Sequence, residues 1–173
     1  MSTIKILLLI ASFTFSINVS FLEKPTNCQL FPRNELNMGE IKIVGTLRDL
    51  DFDSLSVTVT RNNRLYSRFV APAVYRNDTA DFVFHIQIPA ELAEYAIILR
   101  ADTVLIIKAD SLVAGDAFVI NGQSNAVTMD PGKSHDFVRT WSLTQGKWIV
   151  SSEGVWGQEL AYKINCQQGV PVA

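Results

Sequence analysis

The chain has 173 residues, of which 48% are hydrophobic and 18% are charged, and its formal net charge is −2. This composition is typical of a globular protein and excludes a disordered one, because it offers enough apolar surface for a core. The 15 basic residues are scattered along the chain, which argues against a nucleic acid as partner.

The N-terminal stretch MSTIKILLLIASFTFS has the pattern of a secretory signal peptide. Lys5 precedes ten apolar or small residues, 6–15, and this run is too short to span a bilayer core of about 30 Å. We therefore predict a signal peptide over residues 1–20, with cleavage after Ser16 or Ser20, and a secreted or periplasmic protein. An uncleaved membrane anchor is the alternative, and no other contact with a membrane is expected.

Export bears on the two cysteines, Cys28 and Cys166. They could pair in an oxidising compartment, but they fall in different predicted domains, so we expect two free, mostly buried thiols. The two histidines are His85 and His135, and the chain contains no CxxC or HExxH motif. No metal site and no cofactor are therefore expected.

Residues 39 to about 112 alternate apolar side chains with polar ones or threonine. The clearest run is 80–89, ADFVFHIQIP, in which every second residue is a large apolar one and His85 lies on the opposite face. β-branched and aromatic residues dominate, and short polar turns separate the runs. This pattern predicts an antiparallel β-sandwich domain over residues 21–112.

The pattern changes after Gly115. Residues 117–121, AFVIN, are apolar without alternation, as expected of a buried strand that is covered on both faces. Further on, Trp156, Leu160 and Ile164 recur at the spacing of one helical face. These features predict a strand, a polar loop and a helix.

Glu159 and Lys163 form a favourable i, i+4 pair on the outer side of that helix, and Gly169 is expected to end it. The last residues, VPVA, have the character of a second buried strand. So small a sheet cannot bury its own faces. We therefore expect residues 113–173 to be the N-terminal fragment of a larger, truncated α/β domain.

Ser124 follows the first of these predicted strands in the turn Gly122-Gln123-Ser124-Asn125. Catalytic groups of open α/β sheets collect at the carboxyl ends of strands. Gly122 permits a tight turn, and the amides after it can face a negative charge near the serine oxygen. The turn resembles a G-x-S-x-G elbow without its second glycine. By spacing alone, an ordinary polar loop is the more frequent explanation.

The residues add a resemblance to a known family. GDAFVINGQSNA (115–126) resembles the first conserved block of the SGNH hydrolases, in the sialate O-acetylesterase-type branch of carbohydrate esterases. DFVRTW (136–141) and VWGQELAYKI (155–164) follow in the expected order, and a preceding β-sandwich also fits. The resemblance implies a mixed fold, in which the sandwich is followed by the first β-α-β portion of an α/β, flavodoxin-like hydrolase domain.

The resemblance also implies a chemistry, the hydrolysis of acetyl esters on a carbohydrate substrate. Ser124 would be the nucleophile, and the backbone N–H groups of Ser124 and Gly157 would hold the oxyanion. Four residues would support the turn: Asp116, Gly122, Gln123 and Asn125. The family also uses an oxyanion-hole asparagine and an Asp-x-x-His pair, which this sequence lacks, so the chain alone is predicted to be inactive. We interpret His135 as a surface residue rather than a substitute base.

A second hypothesis comes from another functional class. The chain would be a secreted carbohydrate-binding or adhesive β-sandwich with a vestigial hydrolase segment. Tyr66, Tyr75 and Tyr95 could stack on sugar rings, although scattered tyrosines more often pack on a strand face. Neither hypothesis specifies the sugar, the acyl group or the oligomeric state.

Overall fold

The structure is a computed structural model that describes residues 18–48, 52–122, 135–151 and 155–173. The described residues form ten strands and one helix. They are β1 (Asn18–Glu23), β2 (Leu30–Pro32), β3 (Met38–Arg48), β4 (Ser54–Arg61), β5 (Arg64–Pro72), β6 (Thr79–Pro89), β7 (Tyr95–Ala101), β8 (Val104–Gly115), β9 (Arg139–Ser142), β10 (Lys147–Val150) and α1 (Val155–Gln168).

Two sheets make up the larger part of the molecule. One has three antiparallel strands in the order β1-β3-β6, and the other has five in the order β2-β8-β7-β4-β5. The second sheet is antiparallel except at β2, which pairs in parallel with β8. The predicted antiparallel, sandwich-like domain is confirmed at this level. Its last strand continues past residue 112 to Gly115.

The two sheets share one hydrophobic core, and strand β6 shows how the sequence produces it. Phe82, Phe84, Ile86 and Ile88 are buried, whereas His85 is exposed on the other face. Burying a side chain of this size contributes about 1.5–3 kcal/mol. The matching faces of β3, β4 and β7 supply most of the remaining core residues, and β2 and β8 add others. The alternation of apolar and polar residues in the sequence is therefore also the alternation of buried and exposed side chains.

Strand β1 begins inside the range assigned to the signal peptide. It starts at Asn18 and pairs with β3 from Asn18↔Arg48 onwards. Cleavage after Ser16 would leave this strand whole, whereas cleavage after Ser20 would remove its first three residues. Residues 1–17 lie outside the described part, so the signal peptide itself stays a prediction. No helix in the described ranges is long and apolar enough to cross a membrane.

The C-terminal part brings three short segments side by side. The Asp116 N–H donates to the Pro171 carbonyl (2.9 Å), and the Phe118 N–H donates to the Ala173 carbonyl (2.7 Å). Val172 forms parallel bridges with both Asp116 and Val138. A Cβ added to Gly115 would lie 1.8 Å from the Pro171 carbonyl oxygen, so this approach requires glycine at position 115.

The expectation of a buried strand at 117–121 is wrong. Phe118, Val119 and Ile120 are 52%, 96% and 45% exposed, and no regular strand forms there. The physical reason is that the observed pairing of this segment is one-sided, since the Phe118 N–H donates to the Ala173 carbonyl on one edge. The second segment behaves as expected, because Val170 and Val172 are buried.

Helix α1 forms where it was predicted, but it buries a different face. It ends at Gln168, before Gly169 with φ +69°, and Glu159 and Lys163 pair at 3.6 Å. Trp156 and Leu160 are exposed, and the buried positions are Gln158, Ala161 and Asn165. The polar side chains face inward because the Gln158 amide donates to the Ser151 carbonyl and the Asn165 amide to the Val170 carbonyl.

Candidate functional site

Three of the predicted site residues, Gln123, Ser124 and Asn125, lie outside the described residues. The structure describes the chain up to Gly122, which is exposed and has no regular secondary structure. The roles of these four residues as nucleophile and turn supports stay predictions. What the structure does describe is the segment that leads into the turn and the helix beside it.

Gly157 lies in the first turn of α1, next to that segment. A Cβ added to Gly157 would lie 2.6 Å from Cδ1 of Ile120, and Ile120 precedes Ser124 by four positions. The N–H groups of a first helical turn have no acceptor within the helix, and the helix dipole favours negative charge there. The arrangement therefore brings potential anion-binding amides close to the chain that carries Ser124.

The side chain of Asp116 contacts the sandwich. Its carboxylate accepts two hydrogen bonds from Arg33, Nε to Oδ1 at 2.6 Å and Nη2 to Oδ2 at 2.9 Å. The same guanidinium donates to the Gln168 side chain at the end of α1 (2.8 Å). Asp116 therefore joins the sandwich to the C-terminal part, and its predicted support of the Gly122 turn stays a prediction.

Asp116→Asn tests this connection. The substitution removes the negative charge from an ion pair that is mostly buried and joined by two hydrogen bonds. It should lower the free energy of unfolding by about 1–2 kcal/mol. Lys108 and Asp110 form an exposed ion pair at 2.8 Å, so Asp110→Asn is the matched control. This substitution should change the free energy of unfolding by less than about 0.5 kcal/mol. Urea unfolding measures both. Equal effects of the two substitutions would show that the Arg33 pair holds nothing together.

His135 is less exposed than the sequence suggested. Its ring is partly buried and lies 5.4 Å from the ring of Tyr162 and 6.0 Å from that of Phe137, centroid to centroid. Its Nδ1 accepts the Phe137 N–H (3.2 Å), which places the hydrogen of a neutral ring on Nε2. Because no acceptor nitrogen is then left, the geometry argues against His135 as a base.

Sequence reasoning missed Arg139, whose side chain is fully buried. Nη2 donates to the Glu94 carboxylate (3.0 Å) and to the Ser111 carbonyl (3.4 Å), and Nη1 donates to the Asp136 carbonyl. Burial lowers the pKa of this guanidinium, and Glu94 opposes that shift. The signal in the sequence was one arginine inside the largely apolar run FVRTW. Arg139 is a second connection between the sandwich and the C-terminal part.

The cysteines and the remaining histidine carry no site in the described part of the chain. Cys28 and Cys166 are both free, but Cys166 is exposed, so the expectation of two mostly buried thiols is wrong for it. His85 is exposed, and its Nδ1 lies 2.8 Å from Glu40 Oε1, which lowers the pKa of Glu40. Among the described residues, no cluster of three His, Cys, Asp or Glu could hold a metal ion.

The three tyrosines differ in their exposure. Tyr95 is 1% exposed and belongs to the core, so it is not available for stacking on a sugar. Tyr75 is partly buried, and its hydroxyl accepts the Phe52 N–H (3.3 Å). Tyr66 is 42% exposed and is the member of the three whose ring is open to a ligand.

No protein-family model matches the chain, and no curated protein matches it. Among solved structures, it is similar to the CARDB domain of the PF1109 protein from Pyrococcus furiosus, determined in complex with di-metal ions. That match has 12% sequence identity and a TM-score of 0.35, and it covers 61% of this chain and 99% of the other. These comparisons assign the chain to no family.

Proposed function

We propose that this chain carries the nucleophile, Ser124, of a serine esterase that removes O-acetyl groups from sugars, and that the full-length enzyme also has the Asp-x-x-His pair that these 173 residues lack. The resemblance of GDAFVINGQSNA to the first SGNH block suggests the chemistry. The observation that carries the proposal is the contact between Gly157 and Ile120. It puts the amino end of α1 beside the chain that enters the Ser124 turn, where an oxyanion hole would need it.

The chain direction of the C-terminal part supports the same proposal. Residues 116–118 run parallel to 171–173, and α1 lies between them in sequence. Parallel neighbours need a long connection, which in α/β proteins is usually a helix. A β-α-β unit of a flavodoxin-like hydrolase would begin in this way, with its catalytic turn after the first strand.

The proposed reaction has two steps. The Ser124 oxygen attacks the acetyl carbonyl carbon and gives its proton to a histidine base, which in the family belongs to the Asp-x-x-His pair that this sequence lacks. The same histidine then gives that proton to the sugar oxygen as the C–O bond breaks, so the sugar leaves as an alcohol. Water then cleaves the acetyl-serine ester and releases acetate. The backbone N–H groups of Ser124 and Gly157 would stabilise the negative oxygen that forms in each step.

Gly157→Ala tests the role of the helix end. The new methyl group would force Ile120 Cδ1 to move, and this costs little stability because Ile120 is 45% exposed. We expect kcat for acetyl ester hydrolysis by the full-length protein to fall about 10-fold to 100-fold, because the turn shifts. Stability should change by less than about 1 kcal/mol.

Ile120→Val provides the matched control, because it removes the atom that the new methyl would meet. The double variant Gly157→Ala, Ile120→Val should regain most of the lost kcat, whereas Ile120→Val alone should stay close to the parent protein. A Gly157→Ala protein with unchanged kcat would remove the support that the helix end gives to the proposal.

A further inference from the structure

A polar groove crosses one end of the sandwich, away from the predicted Ser124 turn in sequence. It consists of two adjoining depressions that share Asn62, in the turn between β4 and β5. Arg61, Tyr66 and Glu91 line the first depression. Glu94 and Ser111 line the second. We call the two together the hairpin groove.

Hydrogen bonds connect the side chains in the first half of the hairpin groove. Arg61 donates two hydrogen bonds to Glu91, at 2.6 and 2.7 Å, and the Tyr95 hydroxyl donates to the same carboxylate at 2.5 Å. Burial and the Glu91 bond raise the pKa of Tyr95, so this hydroxyl keeps its proton at neutral pH. The exposed Tyr66 ring packs edge-on against Tyr95, with a centroid distance of 5.5 Å.

The second half is also pre-formed. The Asn62 side chain accepts the Glu94 N–H (3.0 Å), and the Asn62 N–H donates to the Glu94 carbonyl (2.8 Å). The Ser111 hydroxyl donates to the Glu94 carboxylate (3.3 Å) from a bulge of β8, where Ser111 has φ +56°. Little side-chain ordering would remain to oppose the binding of a ligand.

The charges of the hairpin groove largely cancel. Arg61 pairs with Glu91, Glu94 with Arg139, and Asp110 with Lys108, and Arg64 is a lining charge outside these three pairs. A strongly anionic ligand therefore finds Arg64 as the positive charge outside these pairs, and a neutral ligand avoids the cost of separating them. The planar guanidinium, carboxylate and amide groups donate to and accept from hydroxyl groups, and one aromatic ring stands beside them.

We infer that the hairpin groove binds a neutral oligosaccharide. The apolar C–H face of a sugar ring would stack on Tyr66, and its hydroxyl groups would bond to Asn62, Glu91 and Glu94. A sugar combines one apolar face with a rim of hydroxyl groups, and the groove offers the complement of both. This site does not depend on Ser124 or on the proposed esterase activity.

Native affinity electrophoresis of the full-length protein tests the inference. The gels contain acetylated xylan or galactomannan as neutral probes and polygalacturonate as an anionic one. We expect retardation by at least one neutral polysaccharide, and we expect Tyr66→Ala to weaken that affinity about 10-fold. Tyr66→Phe should retain it, because the ring is kept. Arg64 is also an exposed lining residue of the first depression. Arg64→Ala should also weaken the affinity, and it is the second variant if Tyr66→Ala fails to fold.

Val70→Ala is the matched control, because Val70 is 63% exposed on the same strand but does not line the groove. It should bind like the parent protein, as should Ser124→Ala. Three results would overturn the inference. They are no retardation by either neutral probe, retardation that neither Tyr66→Ala nor Arg64→Ala changes, and retardation by polygalacturonate alone. Because Ser124→Ala is scored separately, a failure here leaves the esterase proposal standing.

Discussion

Ser124→Ala should lower kcat/KM for acetyl ester hydrolysis by the full-length protein about 10⁴-fold to 10⁶-fold. The size follows from removing the nucleophile, since the remaining oxyanion donors and binding contacts supply only residual catalysis. Release of 4-nitrophenol from 4-nitrophenyl acetate measures it, after subtraction of the spontaneous rate.

Thr103→Ala is the matched control for this substitution. Thr103 is an exposed hydroxyl residue in the turn between β7 and β8 of the sandwich, and the loss of its hydroxyl should leave the rate within about twofold of the parent protein, as for surface substitutions generally. If Ser124→Ala retained more than a tenth of the parent rate, the nucleophile would have to be another residue and the proposed function would lose its basis.

Arg139→Ala should lower the free energy of unfolding by about 3 kcal/mol. The side chain is fully buried and donates to Glu94, Ser111 and Asp136. Its removal leaves acceptors without donors and opens a cavity. Arg139→Met keeps most of the volume and should lose less, because only the polar contacts are removed. Urea unfolding of both variants separates the two contributions.

Arg68→Ala is the control for charge alone, because Arg68 is exposed on β5. It should change the free energy of unfolding by less than about 0.5 kcal/mol. If the Arg139→Ala protein were as stable as the Arg68→Ala protein, the contacts of Arg139 would not stabilise the fold. In that case the buried guanidinium would not join the sandwich to the C-terminal part.

The sequence predicted those strands and helix ends whose signals lie within the element itself. Strand β6 alternates because its neighbours in the sheet repeat the same period of two, and α1 ends where Gly169 adopts a positive φ. Both signals are carried by residues within one element. The sandwich could therefore be recognised before its strand order was known.

The remaining features depend on residues that are distant in the chain. Asp116 pairs with Arg33, and Arg139 pairs with Glu94, and no period in the sequence joins such positions. The inner face of α1 is polar because the side-chain amides of Gln158 and Asn165 donate to backbone carbonyls outside the helix. The apolar stripe in the sequence had suggested that the opposite face would be buried. The hairpin groove also combines three separate segments, so the sequence suggested Tyr66 without its surroundings.

The measurement that tests the central claim most directly is covalent labelling of the full-length protein with a fluorophosphonate. The serine oxygen displaces fluoride at phosphorus, so an activated serine keeps the phosphonate, and tandem mass spectrometry of the digest locates it. The account predicts one major adduct, on the peptide that contains Ser124, and its loss when an acetylated sugar is present in excess. A protein that remains unlabelled, or that carries the adduct on a different serine, would contradict it.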